Sequence, residues 1–221
     1  MKSLIFFFVV YPYICLALLL FGLLLRYVYT QNTWNARSSE IFEKQTLRIG
    51  SMLFHLGILF SFGGHILGLV LPPAALQALG LSMPLHMELA GMAGKILAPL
   101  VILGLGILLF RRLCNAHVAA TTTRTDIVII LLILLNACTY QSYVAHFPVF
   151  STIGPWLRSV LTFYPAPVYL MSVPLFMQIH IVSGLTIFAL LPFSRLVHIF
   201  SVPLTYITFP AVLYRKRYGN T

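Results

Sequence analysis

Apolar residues run in long blocks with short polar segments between them. A helix rises 1.5 Å per residue, so a block of about 20 apolar residues crosses a hydrocarbon core of roughly 30 Å. Five blocks reach that length and predict five membrane helices, at about residues 4–25, 49–71, 89–110, 127–145 and 168–199. Only Lys2 precedes the first. A cleaved signal would need a shorter apolar stretch and a small-residue cleavage site, and neither is present, so the block reads as a retained helix. Pro12 inside it is tolerated in a membrane. The second block holds Gly57, Gly63, Gly64 and Gly68, which would let a bulky group or another backbone approach closely, and stops at Pro72-Pro73. The third holds Lys95 and Pro99 and closes at Arg111-Arg112. The fourth is dense in Ile and Leu. The fifth has Pro174 near its start and Pro192 inside. The segments between, including 146–169, read as loops. The expected fold is an all-α membrane protein, one domain over residues 1–221.

Composition agrees with lipid as the solvent. Apolar residues make up 60% of the 221 positions and charged ones 8%, about a third of the share in soluble domains. A net charge of +10 would ordinarily suggest nucleic acid. Here the basic residues sit at the ends of apolar blocks, which is a membrane pattern and excludes that partner. With five spans, eleven fall on one side: Arg26, Arg37, Lys44, Arg48, Arg111, Arg112, Arg124, Arg195, Arg215, Lys216 and Arg217. Two, Lys2 and Arg158, fall on the other, and Lys95 lies inside a span. The basic side faces the cytoplasm. The N-terminus is therefore expected outside and the C-terminus inside. Tyr27, Tyr29 and Trp34 suit the interface. Cys15, Cys114 and Cys138 have no metal-ligand or disulfide spacing and read as small apolar side chains.

The histidines change the picture from a bundle to a site. His55 and His65 share the second helix, and His180 and His198 share the fifth. Eighteen residues make five whole turns, which would put His180 and His198 on one face of a continuous helix. With antiparallel helices, depth pairs His65 with His180 and His55 with His198. The ten-residue spacing rises about 15 Å and the eighteen-residue spacing about 27 Å, so the ligand axes tilt or the helix bends at Pro192. Irons midway between such ligands would lie roughly 21 Å apart in depth, within the thickness of the core. A neutral imidazole binds iron through one nitrogen while its other N–H takes a partner. Two on one iron leave no open position and favour electron transfer. A lone intramembrane histidine reads as a packing or proton-path residue; four, two per helix at matching depths, read as two bis-histidine haems. Arg195, three residues before His198, reads as a propionate partner or as a residue that snorkels to the surface. Arg111 and Arg112 have the same two readings.

The stretch LPFSRLVHIFSVP, from Leu191 to Pro203, resembles the gamma, or cytochrome b, subunit of respiratory nitrate reductase. Smaller pieces agree: YPY at Tyr11–Tyr13, SMLFHLGIL around His55, Gly64-His65, Arg111-Arg112 and ATTT at Ala120–Thr123. The resemblance spans all five blocks. It implies two haems b, on His65 with His180 toward the outside and on His55 with His198 toward the cytoplasm, with Arg195 and Arg112 on propionates. It implies a prokaryotic inner membrane as the location, and oxidation of a quinol, menaquinol or ubiquinol, near the outer haem. It further implies a cytoplasmic iron–sulfur beta subunit and a molybdenum-containing alpha subunit as partners, with the segments Arg26–Arg48 and Arg111–Arg124 as the docking surface. The family places a basic residue at the start of the third helix in its quinol site. His86 stands there in this chain, and an imidazole can bond a quinol oxygen and accept its proton; a solvated loop histidine is the other reading. Lys95 has three readings: a quinone contact, a propionate contact or a snorkelling cation. His117 and His146 read as structural or solvated.

Two other function classes share parts of this pattern. A dihaem anchor of a sulfur-metabolism reductase or a nitrite-oxidising complex would show the same histidines and differ in its partner. A haem-free transporter would show no pigment; the sequence lacks an inverted repeat or a continuous ionisable path. Reduction of nitrate itself is excluded from this chain. Its four acids, Glu40, Glu43, Glu88 and Asp126, are scattered, and no nucleotide loop or nucleophile constellation is present.

Overall fold

A computed structural model describes residues 5–30, 34, 39–141 and 149–200, and every regular element among them is helical. Lys2, Arg37, His146, the end of the fourth block and the basic Arg215–Arg217 tail lie outside the described residues. A π-helical turn, Phe6–Val10, leads into α1, Tyr11–Tyr29. Helix α2, Gln45–His65, continues as the π-helical turn Ile66–Val70. It ends at Leu71, in extended conformation before Pro72, because a proline crowds the α region of its predecessor. A short α3, Pro73–Ala78, precedes α4, Met83–Cys114. Short α5, Ala116–Ala120, then leads to α6, Arg124–Gln141, α7, Val149–Leu161, and α8, Leu175–Leu190.

Among the described residues four helices are long and apolar enough to cross a membrane: Phe6–Tyr29, Gln45–Val70, Met83–Cys114 and Leu175–Phe193. They coincide with four of the five expected blocks. The remaining block coincides with α6, which packs between α4 and α8. Large apolar side chains stay exposed along the helices, among them Phe21, Leu59, Phe60, Ile96, Leu103 and Phe110. Such a belt is lipid-facing surface, since water would not tolerate it.

Helices α2 and α4 lie backbone to backbone. A Cβ on Gly104 would come within 2.5 Å of the Phe54 nitrogen and 2.8 Å of the Gly50 oxygen. One on Gly57 would meet Val101 Cγ2 at 2.7 Å and the Leu97 oxygen at 2.9 Å. Small residues therefore set the spacing here, as expected for helices without a hydrophobic drive to associate. Gly63 and Gly64 do not serve this purpose: a Cβ at either would meet nothing within 4 Å. One core cluster centres on Phe54, Val101, Leu105, Ile130 and Ile133 between α2, α4 and α6. A second joins Phe8, Ile153, Trp156, Val160 and Met177 near the other end.

Three expectations need correction. Residues 146–169 are not simply a loop, because α7 occupies Val149–Leu161. Its apolar positions recur at helical spacing, Ile153, Trp156, Leu157 and Val160, and Trp156 Nε1 donates to the Phe8 carbonyl at 3.0 Å. The third span begins at Met83, so His86 is in its first turn and only 7% exposed, not in a solvated loop. The fifth block is not one helix over 168–199. After Leu190 the chain makes a 3₁₀ turn, Leu191–Phe193, an extended Ser194 and a second 3₁₀ helix, Arg195–Phe200. Pro192 lacks an N–H and its ring collides with the carbonyl four residues back, so the α-helix cannot continue. His180 and His198 therefore do not lie on one face of a continuous helix.

Basic side chains gather at the end where the chain breaks. Arg26 donates from Nη1 to the Pro192 and Ser194 carbonyls, and Trp34 Nε1 to the Val197 carbonyl at 2.8 Å. Arg111 is 4% exposed and turned inward. It binds Glu43 Oε2 at 2.6 Å, the Glu43 carbonyl at 2.6 Å, and both oxygens of Ser39. That inward turn removes Arg111 from the expected docking surface.

Glu43 also accepts from the free N–H groups of Thr46 and Leu47 at the start of α2. The Thr46 N–H, followed by the Arg111 guanidinium, holds the Glu43 carboxyl below its ordinary range. A depressed folded-state pKa stabilises the fold above the ordinary carboxylate range, and this contribution is lost as pH falls through the folded value. Glu43→Gln is therefore expected to melt below the unaltered protein at neutral pH, with the difference closing on acidification below the ordinary carboxylate range. Thermal denaturation across pH checks this; a constant difference would mean that the charge is not the cause.

Candidate functional site

The chain break delivers the fourth histidine. Helices α2 and α8 run in opposite directions, and their histidines meet in two pairs. The His65 and His180 ring centroids are 6.1 Å apart with an interplanar angle of 18°. Those of His55 and His198 are also 6.1 Å apart, at 62°. The 3₁₀ helix Arg195–Phe200 carries His198 to His55 although the sequence spacings differ, ten residues on α2 and eighteen along the last span.

All four rings share one feature. Each Nδ1 faces a backbone carbonyl: His55 that of Ser51 at 2.7 Å, His65 that of Ser61 at 2.6 Å, His180 that of Asn136 at 2.9 Å and His198 that of Arg195 at 2.6 Å. A carbonyl oxygen only accepts, so Nδ1 carries the proton and Nε2 keeps its lone pair. That is the tautomer of a neutral metal-binding imidazole with its partner in place. Two imidazoles that bind one metal ion through nitrogens at about 2.0–2.1 Å have centroids roughly 6 Å apart. The separation, the tautomer and the apolar surroundings all fit a bis-histidine haem at each pair.

Each pair has distinct neighbours. Near the first, the Tyr140 ring lies 5.7 Å from that of His180. Gly94 of α4 makes room for it, since a Cβ there would fall 2.1 Å from the Tyr140 hydroxyl. Asn136 of α6 donates from Nδ2 to the His180 carbonyl at 2.8 Å and to Ser183 Oγ at 3.0 Å. Near the second pair, Asp126 binds Arg195 Nε at 2.5 Å, and Arg112 Nη1 stands 3.8 Å from its other oxygen. Arg112 also donates to Thr122 Oγ1 at 3.2 Å and Arg195 to the Thr121 carbonyl at 3.1 Å. These three charged side chains line a cavity of about 110 Å³ with Phe54, Ser194 and Leu196.

The remaining candidates stand apart from the pairs. His86 is buried eight residues before Gly94, about 12 Å of helical rise. Lys95 projects from an exposed face of α4, and no hydrogen bond or ion pair joins it to the described residues. His117 stacks on Phe42 with centroids 6.1 Å apart, a packing role. The three cysteines are free thiols.

Reading the sequence alone passed over Asn136, Asp126 and the two serines. The motif Ser-x-x-x-His occurs twice on α2, at Ser51–His55 and Ser61–His65; four residues is the spacing at which a ring reaches back to a carbonyl. Asn136 is a polar residue inside an otherwise apolar block, which is itself a signal.

Comparison with known proteins supplies the family. Residues 4–217 match the family described as nitrate reductase gamma subunit. The chain is 40% identical over 212 residues to the nitrate reductase gamma chain of Bacillus subtilis (strain 168), covering 93% of this chain and 95% of that one. It is 38% identical over 221 residues to the respiratory nitrate reductase 1 gamma chain of Escherichia coli (strain K12), at 96% and 97% coverage. It is 36% identical over 219 residues to the nitrate reductase-like protein NarX of Mycobacterium tuberculosis (strain ATCC 25618 / H37Rv), of which it spans 34%. An all-helical, membrane-type chain that matches one family almost end to end leaves one assignment: it belongs to the nitrate reductase gamma subunit family.

Proposed function

We propose that this chain is a cytochrome b-type membrane subunit that oxidises quinol near the outer face and delivers electrons to a cytoplasmic iron–sulfur subunit, with two haems b as carriers. The observation that supports the reading is the double pairing of Nδ1-tethered imidazoles, His65 with His180 and His55 with His198, at equal separation. Bound haem supplies reversible one-electron transfer. The chain's own residues do the rest. The four histidines would hold the two groups through Nε2, His65 with His180 and His55 with His198, each ring fixed by its Nδ1 carbonyl partner. Arg195 and Arg112 are the cations beside the inner pair and would take its propionates alongside Asp126.

The chain would cross the inner membrane five times, with α6 as the fourth span in chain order, its N-terminus outside and its basic end in the cytoplasm. That orientation follows from the eleven-to-two charge asymmetry. Quinol, as menaquinol or ubiquinol, would then bind at the outer end of α4. His86, held in the first turn of that helix, accepts a hydroxyl proton that leaves to the outside; Lys95 on the same helix is the second group assigned there. The exposed cytoplasmic residues of the Arg26–Arg48 and Arg112–Arg124 segments would face the iron–sulfur beta subunit, with the molybdenum-containing alpha subunit beyond it.

A pyridine haemochrome assay on the purified membrane complex tests the cofactor reading. Two haems b per copy of this chain are expected. None would overturn the electron-transfer function.

A further inference from the structure

Helix α6 contributes no histidine to either pair, yet it binds His180 directly and reaches His198 through Arg195. At one level the contact is reciprocal: His180 Nδ1 donates to the Asn136 carbonyl at 2.9 Å, and the Asn136 side chain donates back to the His180 carbonyl at 2.8 Å. The same amide reaches Ser183 Oγ at 3.0 Å, one turn further along α8. At the other level Asp126 binds Arg195 Nε at 2.5 Å, and the Arg195 carbonyl accepts the His198 Nδ1 proton at 2.6 Å. Asp126 is itself fixed by exchange with Thr123. The Thr123 N–H donates to Asp126 Oδ2 at 2.9 Å, and the Asp126 N–H to Thr123 Oγ1 at 3.3 Å. This is a capping box that starts α6 with a carboxylate in place.

The contrast with α2 is informative. His55 and His65 take their Nδ1 partners from their own helix, four residues back. Neither histidine of the last span does so from an unbroken helix. His180 borrows a carbonyl from α6, and His198 sits on a 3₁₀ helix after the break. Asp126 and Asn136 are ten residues apart, as are His55 and His65. Both spacings rise about 15 Å, so α6 repeats along α8 the interval that α2 builds into its own sequence.

We propose that Asn136 and Asp126 are positioning residues, each acting on one haem site: Asn136 on the outer site through His180, Asp126 on the inner site through Arg195 and His198. The proposal rests on the haem reading above and adds to it a division of labour on a helix without ligands. Outer-shell partners of metal-binding histidines change affinity by about 10–100-fold when removed. Loss of the Asn136 amide leaves the His180 ring its backbone partner but unties the α8 backbone from α6, so that α8 can slide and carry His180 out of register with that carbonyl. Loss of the Asp126 charge releases Arg195 and with it the carbonyl that orients His198.

The test is the rate at which each haem leaves the detergent-solubilised complex for a haem-scavenging apoglobin. Single-haem His65→Ala and His55→Ala proteins give the reference spectra that assign each phase. Asn136→Leu, which keeps the size and removes the amide, is expected to speed loss of the outer haem about tenfold and leave the inner phase unchanged. Asp126→Asn keeps an acceptor for the capping box and removes the charge. It is expected to speed the inner phase by a similar factor and leave the outer unchanged, and Asp126→Glu should restore most of it. If Asn136→Leu fails to accumulate, Asn136→Ser is read in its place with the same expectation. Unchanged rates in both variants, or equal loosening of both haems by either, would overturn the proposal. An unaltered complex without haem would overturn the underlying reading, and is seen before any variant is made.

Discussion

Changing His65 to alanine is expected to remove the outer haem and leave the inner one. The haem count should fall from two to one per chain, with quinol oxidation reduced by more than about 100-fold, beyond the range for loss of an outer-shell partner alone. The reason is the geometry of the pair. His65 and His180 stand 6.1 Å apart, each with Nδ1 already committed to a carbonyl. On the proposed reading, removing either ring would leave the outer haem with one histidine to hold it in place of two. His180→Ala is expected to give the same result, because neither ring has a histidine substitute within its pair. The inner pair keeps its own ligands and its own anchors, Ser51 and Arg195. A haemochrome count and a quinol-analogue reduction assay on each variant check the prediction. Equal loss of both haems from every single change would indicate one shared site or a general folding defect instead.

Replacing Gly104 by valine is expected to have the largest effect on the fold among single changes outside the histidines. Its Cβ alone would stand 2.5 Å from the Phe54 nitrogen and 2.9 Å from the Phe54 Cα. These are backbone atoms that cannot rotate away, so α2 and α4 must separate. Overpacking of this kind costs about 1–3 kcal/mol, and valine at a backbone contact belongs at the upper end. His55 follows Phe54 on α2, so the same shift pulls its ring from His198. Gly106→Ala is the contrast: a Cβ there meets nothing within 4 Å. It is expected to be neutral or to stabilise α4 by up to about 1 kcal/mol through helix propensity. Thermal denaturation in detergent, read by both the visible haem bands and helical content, distinguishes the two. Similar melting of both variants would show that this helix contact does not set the fold.

Four of the five expected spans and the spatial pairing of the histidines were legible in the sequence because both depend on local, periodic facts. Apolar block length follows from bilayer thickness, and depth along antiparallel helices follows from rise per residue. What escaped depends on contacts between elements. The amphipathic α7 was hidden because its stretch carries Pro155 and prolines nearby, which read as loop. The burial of Arg111 against Ser39 and Glu43 could not be foreseen from a basic pair at a helix end, where exposure is the ordinary outcome. Pro192 was visible as a point of bending. The 3₁₀ geometry beyond it was not, because it is set by Arg26 and Trp34 reaching across from another part of the chain. Asn136 was missed because the eye follows histidines and charges, while an amide inside lipid carries as much information.

The break at Pro192 also gives assembly a direction. His198 rides on the 3₁₀ helix Arg195–Phe200, at whose start the Val197 N–H donates to the Ser194 carbonyl. Short 3₁₀ pieces have poor hydrogen-bond geometry and little stability of their own. This one is tied down by Arg26 and Trp34, just after the first span, and by Asp126 at the start of α6. It therefore closes only after those parts have met. His180, within the unbroken α8, can reach His65 as soon as α2, α6 and α8 dock. Local opening free energies differ in the same way, lowest where the backbone is least self-supporting. The His55–His198 pair is thus the clasp of the bundle, since its 3₁₀ strap is held by side chains from elsewhere in the chain.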